Sequence, residues 1–300
     1  MTSPEISICI VNFNAKEYLR ACLYSIETKT TRTSYELIVV DNHSQDGSAE
    51  MLREEFPEVT LIENDANEGF SRPMNKALKR ARGRCYLLLN PDTLFENDVP
   101  GLLSAYLDSH PDVGIVGPKV LNPDGTLQAP CKRSEARPRD VFMYFSGLAK
   151  RFPKDPRFSG YTLAYLDEDE THNVDGVSGS CMLVRRTLAE QIGYLDERFF
   201  AYQEDADYCI RARKAGWKVV YYPDAKIIHF GGKGGSKVKP VQSIIAWHYS
   251  YYQYYKKHFA PDYFFLFNGL FYSLMGMKLG WALVKNMLLG VPFGGSRKPG

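Results

Sequence analysis

The sequence predicts an α/β protein, a mostly parallel sheet flanked by helices with a helical appendage at its C-terminus, on three observations. Short β-branched or leucine-rich runs recur through the first third: "ISICIV" (6–11), "ELIVV" (36–40), "VTLI" (59–62) and "CYLLL" (85–89). This is the pattern of strands buried on both faces. Between the runs, apolar residues fall at helical spacing: Tyr18, Leu19, Cys22, Leu23 and Ile26, then Met74, Ala77, Leu78 and Ala81. Each run ends on polar residues, "NFN", "DNHSQDGS", "ENDANEGFS" and "NPDT" in turn. Ligands of open α/β sheets bind off the carboxyl ends of the strands, so four polar tips are expected at one edge.

Further along, "LNPDGTLQ" (121–128) reads as a hairpin. Residues 131–172, rich in Lys, Arg, Pro and Asp, read as a long mobile surface loop. "GSCMLVRR" (179–186) is expected as a strand, and "EDADYCIRARKAG" (204–216) as a helix with Cys209, Ile210 and Ala212 available for burial. "WKVVYYP" (217–223) and "KIIHF" (226–230) read as two further strands. From 241 onward the chain is helical and aromatic. Its segment 263–291 is interrupted by Asn268, Lys278 and Lys285, which makes it a poor single membrane span. The expected organisation is a main domain over 1–240, with halves 1–120 and 121–240, and an aromatic helical region over 241–300.

Composition narrows the function classes. At 44% hydrophobic and 24% charged residues, the chain can bury a full core. Its 37 basic and 35 acidic residues leave +2, which excludes nucleic acid as a bulk electrostatic partner. Six scattered cysteines without metal-finger spacing read as reduced and buried. "MTSPEISICIVNF" has no basic segment followed by a long apolar one, so no secretory signal is expected and the chain is placed on the cytoplasmic side.

The chemistry-bearing residues gather at the strand ends. Asp92, after a rigid proline turn, is a hard oxygen donor suited to Mg²⁺ or Mn²⁺, and Asn90 can hold the turn or a metal-bound water. The same three residues also read as an ordinary Asn-Pro-Asp turn. Asp41 closes the second run, where an acid can accept from a ribose hydroxyl or a base N–H; Asn42, Ser44 and Asp46 line its loop. Glu204, Asp205 and Asp207 open the helix at 204, which its dipole favours, and upstream aromatics would raise the pKa of an acid there. His229 ends a strand before "GGKGGSK", a backbone able to fold over phosphate, with Lys233 and Lys237 as counter-charges.

Taken in order, "ISICIVNFN", "VVDNHSQDGS", "NEGF", "LLLNPDT", "VSGSCMLVRR" and "GYLDERFFAYQEDADYCIRARKAGWKVVYYPDAKIIHFGG" resemble the landmarks of family 2 glycosyltransferases, and the rhamnosyltransferase-like bacterial branch in particular. The resemblance spans roughly residues 5–260, and an ordered set of motifs is more specific than any one. It implies a GT-A fold: a nucleotide-sugar-binding half (1–120) and an acceptor half (121–240). It also implies an inverting, Mn²⁺- or Mg²⁺-dependent enzyme. By motif, Asp92 and His229 would hold the metal, Asp205 would be the base with Glu204 beside it, and Asp41 would contact the nucleotide base. Asn12, Asn14, Asn42, Ser44, Asp46, Asn67, Gly69, Phe70, Asn75, Asn90 and Lys233 would serve the donor side. Ser178, Gly179 and Tyr202 would serve the acceptor. Asn90 stands where the family's D-x-D motif has its first acid, which leaves the metal on one carboxylate and the donor phosphates.

The donor implied is a nucleotide-diphosphate sugar, dTDP-L-rhamnose first and a UDP-hexose or UDP-galactofuranose next. The acceptor implied is a cell-envelope or lipid-linked glycan. A sugar nucleotidyltransferase is disfavoured because "VNFNAKEYL" after the first strand contains no glycine. A non-catalytic carbohydrate-binding protein would need neither Asp205 nor the metal pair. Residues 263–291 are expected to rest on the inner face of the membrane, with their lysines snorkelling. The alternative is a helical hairpin packed on the main domain or on a second subunit of a homo-oligomer.

Overall fold

A computed structural model of the chain describes residues 3–233 and 240–289. Lys237 and the last residues of the 263–291 tail lie outside them. Strand and helix alternate at first: β1 (Ile6–Asn12), α1 (Lys16–Lys29), β2 (Tyr35–Asp41), α2 (Ser48–Glu55), β3 (Thr60–Glu63), α3 (Ser71–Arg80) and β4 (Cys85–Leu89). β2 and β4 flank β1 and β3 flanks β2, all parallel. Every residue of β1 and β4 is buried, as continuous apolar runs require. α1 buries Leu19, Cys22, Leu23 and Ile26, and α3 buries Met74, Ala77 and Leu78, the faces that the spacing predicts.

The second half changes direction. β5 (Thr93–Phe95), α4 (Val99–Ser109) and β6 (Val113–Leu121) precede β7 (Lys132–Arg133). Three short helices follow, α5 (Pro138–Phe145), α6 (Leu148–Arg151) and α7 (Pro156–Ser159). Then come β8 (His172–Asn173), β9 (Gly176–Val177), β10 (Cys181–Arg185), α8 (Arg186–Ile192), α9 (Glu204–Lys214) and β11 (Lys218–His229). The main sheet runs β3-β2-β1-β4-β10-β6-β11-β5, with β8 on β11 and a separate β7-β9 pair. β10 is antiparallel to both β4 and β6, and β5 and β8 are antiparallel to β11. The sheet is therefore mixed, parallel over β3-β2-β1-β4 and again between β6 and β11. An apolar run states burial but not direction, so the reversal at β10 carries no sequence signal.

Two expectations are corrected. Residues 131–172 form β7 and three helices rather than a patternless loop, and two of those helices open on prolines, which suit a first helical position. Lys132 anchors the segment from inside, its Nζ donating to the Leu166 carbonyl at 2.9 Å. The two strands expected over 217–230 are one strand, β11, whose pairing slips between Tyr222 and Lys226, where Pro223 cannot donate to the ladder. The hairpin at 121–128 is present: Leu121 bridges Leu127, and the Asn122 N–H donates to the Thr126 carbonyl at 2.8 Å. All six cysteines are free and buried.

α10 (Pro240–His258) and α11 (Phe265–Leu289) close the described chain. α10 buries Tyr251, Tyr254 and Tyr255 in a second apolar cluster with Phe199, Ala206 and Ile210. Asp207 pins α10 to α9: fully buried, it receives Arg211 at 2.8 Å, Lys257 at 2.6 Å and His258 at 2.7 Å. A buried acid needs such partners, so Asp207 is a structural tie.

Candidate active site on the carboxyl edge of the sheet

Chain reversal brings Asp92 and His229 together. β4 ends at Leu89, Asn90 and Pro91 turn the chain, and β5 runs back against the end of β11 with His229 opposite Thr93. The Phe230 N–H donates to the Asp92 carbonyl at 2.9 Å and fixes that corner. The Asp92 carboxylate lies 3.2 Å from His229 Nε2 and accepts the Lys233 N–H at 3.0 Å. Burial would raise the Asp92 carboxyl, but the hydrogen bond and charge of His229, with the Lys233 N–H, hold it below the ordinary aspartate range. The Asn90 amide nitrogen stands 3.3 Å from His229 Nε2.

The acid pair arrives from the other side. Because β10 is antiparallel, its first residues lie at the carboxyl end of β4, Cys181 opposite Leu89. Ser178 and Gly179 therefore border the same cavity as Asn90 and Asp92. Tyr202 and Gln203, both left-handed (φ 69° and 65°), swing the chain into α9, a backbone that non-glycine residues adopt only where the surroundings hold it. Asp205 Oδ2 accepts the Gly179 N–H at 2.8 Å and Arg133 at 2.7 Å, and its Oδ1 accepts the Ala206 N–H at 2.7 Å. Arg133 is itself buried and also donates to the Val177 carbonyl. Glu204 is 8% exposed, and its Oε2 is buried without a hydrogen-bond partner. Burial pushes its carboxyl up to about 8, and the charge of Asp205 adds to the push.

One cavity of about 540 Å³ is lined by Asn42, Asn67, Gly69 and Phe70 together with Asn90, Asp92 and His229. Ser178, Gly179, Tyr202, Glu204 and Asp205 also line it, as do the aromatics Tyr144, Phe145, Tyr161 and Trp247. Gly69 (φ 87°) has no room for a side chain: a Cβ would lie 2.2 Å from the Phe200 carbonyl oxygen. Asn42 organises that part of the lining, its amide donating to Asn67 at 2.9 Å and to the Gly69 carbonyl at 2.7 Å.

Several expected donor residues support this wall without lining it. Asp41 spends both oxygens locally, on the Asn12 amide at 2.9 Å and the Ser44 N–H at 2.8 Å. Asn14 accepts the Gln45 N–H, and Asp46 accepts those of Lys16 and Ser48. Asn75 is not brought to the cavity: its amide bonds the Leu195 backbone on both sides, at 2.9 and 3.0 Å, tying α3 to the loop before α9. Lys233 presents its backbone to Asp92 while its ammonium lies over the Tyr18 ring, 5.4 Å from the centroid. Sequence reasoning missed Arg133, whose only signal is a basic residue in a segment read as loop.

This architecture is a GT-A fold with its cavity at the strand ends, and the sequence comparison is specific. The glycosyl transferase family 2 profile matches residues 7–193, and that of glycosyl transferase family group 2 matches 144–291. The chain belongs to glycosyltransferase family 2, on its rhamnosyltransferase-like branch, and is an enzyme of that class. It is 28% identical over 261 residues, 82% of each chain, to the N-acetylglucosaminyl-diphospho-decaprenol L-rhamnosyltransferase of Mycobacterium tuberculosis. It is also 28% identical over 70% of its length, and 62% of the relative's, to a low-salt glycan biosynthesis hexosyltransferase of Haloferax volcanii. Among solved structures, the Pyrobaculum calidifontis mannosyltransferase in complex with GDP-Man and Mn²⁺ shares the fold. Its TM-score is 0.59 and its identity 18%, over 97% of this chain and 77% of that one.

Proposed function

We propose that the protein moves a sugar, L-rhamnose from dTDP-rhamnose in the first instance, from a nucleotide-diphosphate donor to a hydroxyl of a cell-envelope or lipid-linked glycan, with inversion. The observation that carries this reading is that Asp92, His229, Asp205 and Glu204 line one and the same cavity. The mycobacterial relative, whose name specifies a rhamnosyl donor and a decaprenol-linked acceptor, supports the choice of substrates.

The residues fit a divalent cation, Mn²⁺ or Mg²⁺. One buried carboxylate and one imidazole nitrogen, 3.2 Å apart, would hold it as a hard-oxygen and nitrogen donor pair. Among the described residues no larger cluster of metal-ligating side chains exists. Asp92 and His229 would hold such a cation, which when bound would supply positive charge against the leaving diphosphate. Asp205 faces the acceptor. Arg133, Gly179 and Ala206 occupy three of its four lone-pair directions, leaving one on Oδ1 to take the acceptor hydroxyl proton. The oxygen then attacks the anomeric carbon as the bond to the diphosphate breaks with its electron pair, a single displacement that inverts the centre. Asn42, Asn67 and Gly69 shape the donor end, and the Asp41–Asn12–Ser44 network holds that wall in place.

The aromatic wall and α11 suit an acceptor carried on lipid. Leu266, Leu270, Leu274, Met277, Trp281, Val284 and Leu288 are exposed at spacings of three and four, one stripe along the helix. Among the described residues no helix is long and apolar enough to cross a membrane, so the stripe would lie in the interface. The test is a thermal-shift panel of dTDP-rhamnose, UDP-galactofuranose and UDP-hexoses with and without Mn²⁺, followed by transfer assays. Mn²⁺-dependent stabilisation by dTDP-rhamnose is expected, lost in Asp92→Ala. Asp205→Asn should bind donor normally and lose about 10²-fold or more of transfer rate. Normal turnover in Asp205→Asn overturns its role as base, and a larger shift with a UDP-sugar reassigns the donor.

A further inference from the structure

We infer that Gln128 is a positioning residue that fixes the His229 ring, keeping the proton on Nδ1 and presenting the Nε2 lone pair beside Asp92. The inference rests on the metal reading above, and it concerns a residue that reading does not use.

The geometry leaves Gln128 one orientation. Its amide nitrogen donates to the Asn122 side-chain oxygen at 3.1 Å and to the His229 carbonyl at 3.3 Å. A backbone carbonyl only accepts, so the nitrogen must lie on that side. Asn122 is oriented in the same way, its own amide nitrogen donating to Thr126 Oγ1 at 3.0 Å and to the Leu127 carbonyl at 3.4 Å. The chain of bonds therefore ends on two backbone carbonyls and cannot be flipped without breaking them. Gln128 itself is held by its N–H, which donates to the Val120 carbonyl at 2.8 Å.

With the amide so fixed, Oε1 faces His229 Nδ1 at 2.7 Å. An amide oxygen only accepts, so Nδ1 must donate and keeps its proton whatever the charge of the ring. The other nitrogen, Nε2, is then the one able to give up its proton and bind a cation. It stands 3.2 Å from Asp92 Oδ1, with the Asn90 amide nitrogen 3.3 Å away as a donor to the same lone pair. The hairpin at 121–128 thus reaches 101 residues along the chain to set which face of an imidazole is usable.

Nitrogen-15 NMR of the full chain, labelled at histidine, reads the tautomer directly. His229 is expected to carry its proton on Nδ1 in the wild type, and a neutral ring protonated on Nε2 overturns the inference without any variant being made. Mn²⁺ binding in the presence of dTDP, and separately of UDP, is then titrated by the loss of free-ion EPR signal. Gln128→Leu, which keeps bulk but offers no acceptor, is expected to weaken Mn²⁺ binding roughly 10- to 100-fold and to mix the tautomers. Unchanged Mn²⁺ binding in Gln128→Leu, with binding lost in Asp92→Ala, overturns the positioning role alone. Unchanged binding in both variants overturns the metal reading and the positioning role with it.

Discussion

Glu204 and Asp205 are neighbours in sequence and opposites in environment. Asp205 has a guanidinium and two backbone N–H groups on its oxygens, whereas Glu204 Oε2 is buried with no hydrogen-bond partner. Surroundings this different push the pKa values of two neighbouring carboxyls apart. Burial pushes the Glu204 carboxyl up to about 8, and the charge of Asp205 adds to the push. The sign of the stability effect follows. An acid raised on folding contributes stability that is complete below its unfolded pKa of 4.5 and is lost as pH rises towards about 8. Glu204→Gln, a permanent neutral donor, should remove up to about 1.4 kcal/mol per pH unit of that decline. Urea melts of both proteins from pH 5 to 9 check it. A wild-type slope retained in Glu204→Gln would place the titration elsewhere.

At the scale of elements, the two-residue ladder β7–β9 matters more than its length suggests. Pairing Lys132 with Val177 and Arg133 with Gly176 sets Arg133 against Asp205 on α9. Both side chains are largely buried, so the pair sits where removing one charge strands the other. Arg133→Met should cost about 3 kcal/mol or more of stability. Asp205→Asn in the same chain should recover part of that loss, because the stranded charge is gone. A double-mutant cycle by chemical denaturation measures the coupling, and strict additivity would show the two residues to be independent. The segment was expected as loop because its apolar periodicity is weak. Its order comes from buried cations such as Lys132 and Arg133, whose partners lie far away in the chain.

At the scale of the whole molecule, α10 and α11 behave differently although both carry aromatic residues. α10 turns Tyr251, Tyr254 and Tyr255 into the second apolar cluster and is tied to α9 through Asp207. α11, about 37 Å long at 1.5 Å per residue, packs partly on α10 and leaves its leucine, methionine and tryptophan stripe exposed. Lys278 belongs to the packed side, its ammonium over the Phe145 and Trp247 rings, where burial lowers it to about 8. It therefore pins the helix rather than snorkelling to a headgroup. If the stripe docks on lipid, the intact chain should float with phosphatidylglycerol vesicles in a density gradient. Leu270→Glu with Leu274→Glu should leave it at the bottom while activity on a water-soluble acceptor persists. A wild-type chain that never floats would sink the membrane reading.

The sequence by itself determined the buried strands of the first half, their polar tips, the helical faces of α1 and α3, and the ordered motifs that mark the family. Each is a local signal: burial on both faces produces an unbroken apolar run, and a strand tip at a crevice must be polar. Only the tertiary structure decided that β10 runs antiparallel, which carries Ser178 and Gly179 to the tip of β4. It alone seated Arg133 on Asp205, turned Asn75 and Asp41 into supports, and set Gln128 against His229. These depend on strand direction and on partners far apart in the chain, and periodicity records which face of an element is buried, not what it is buried against.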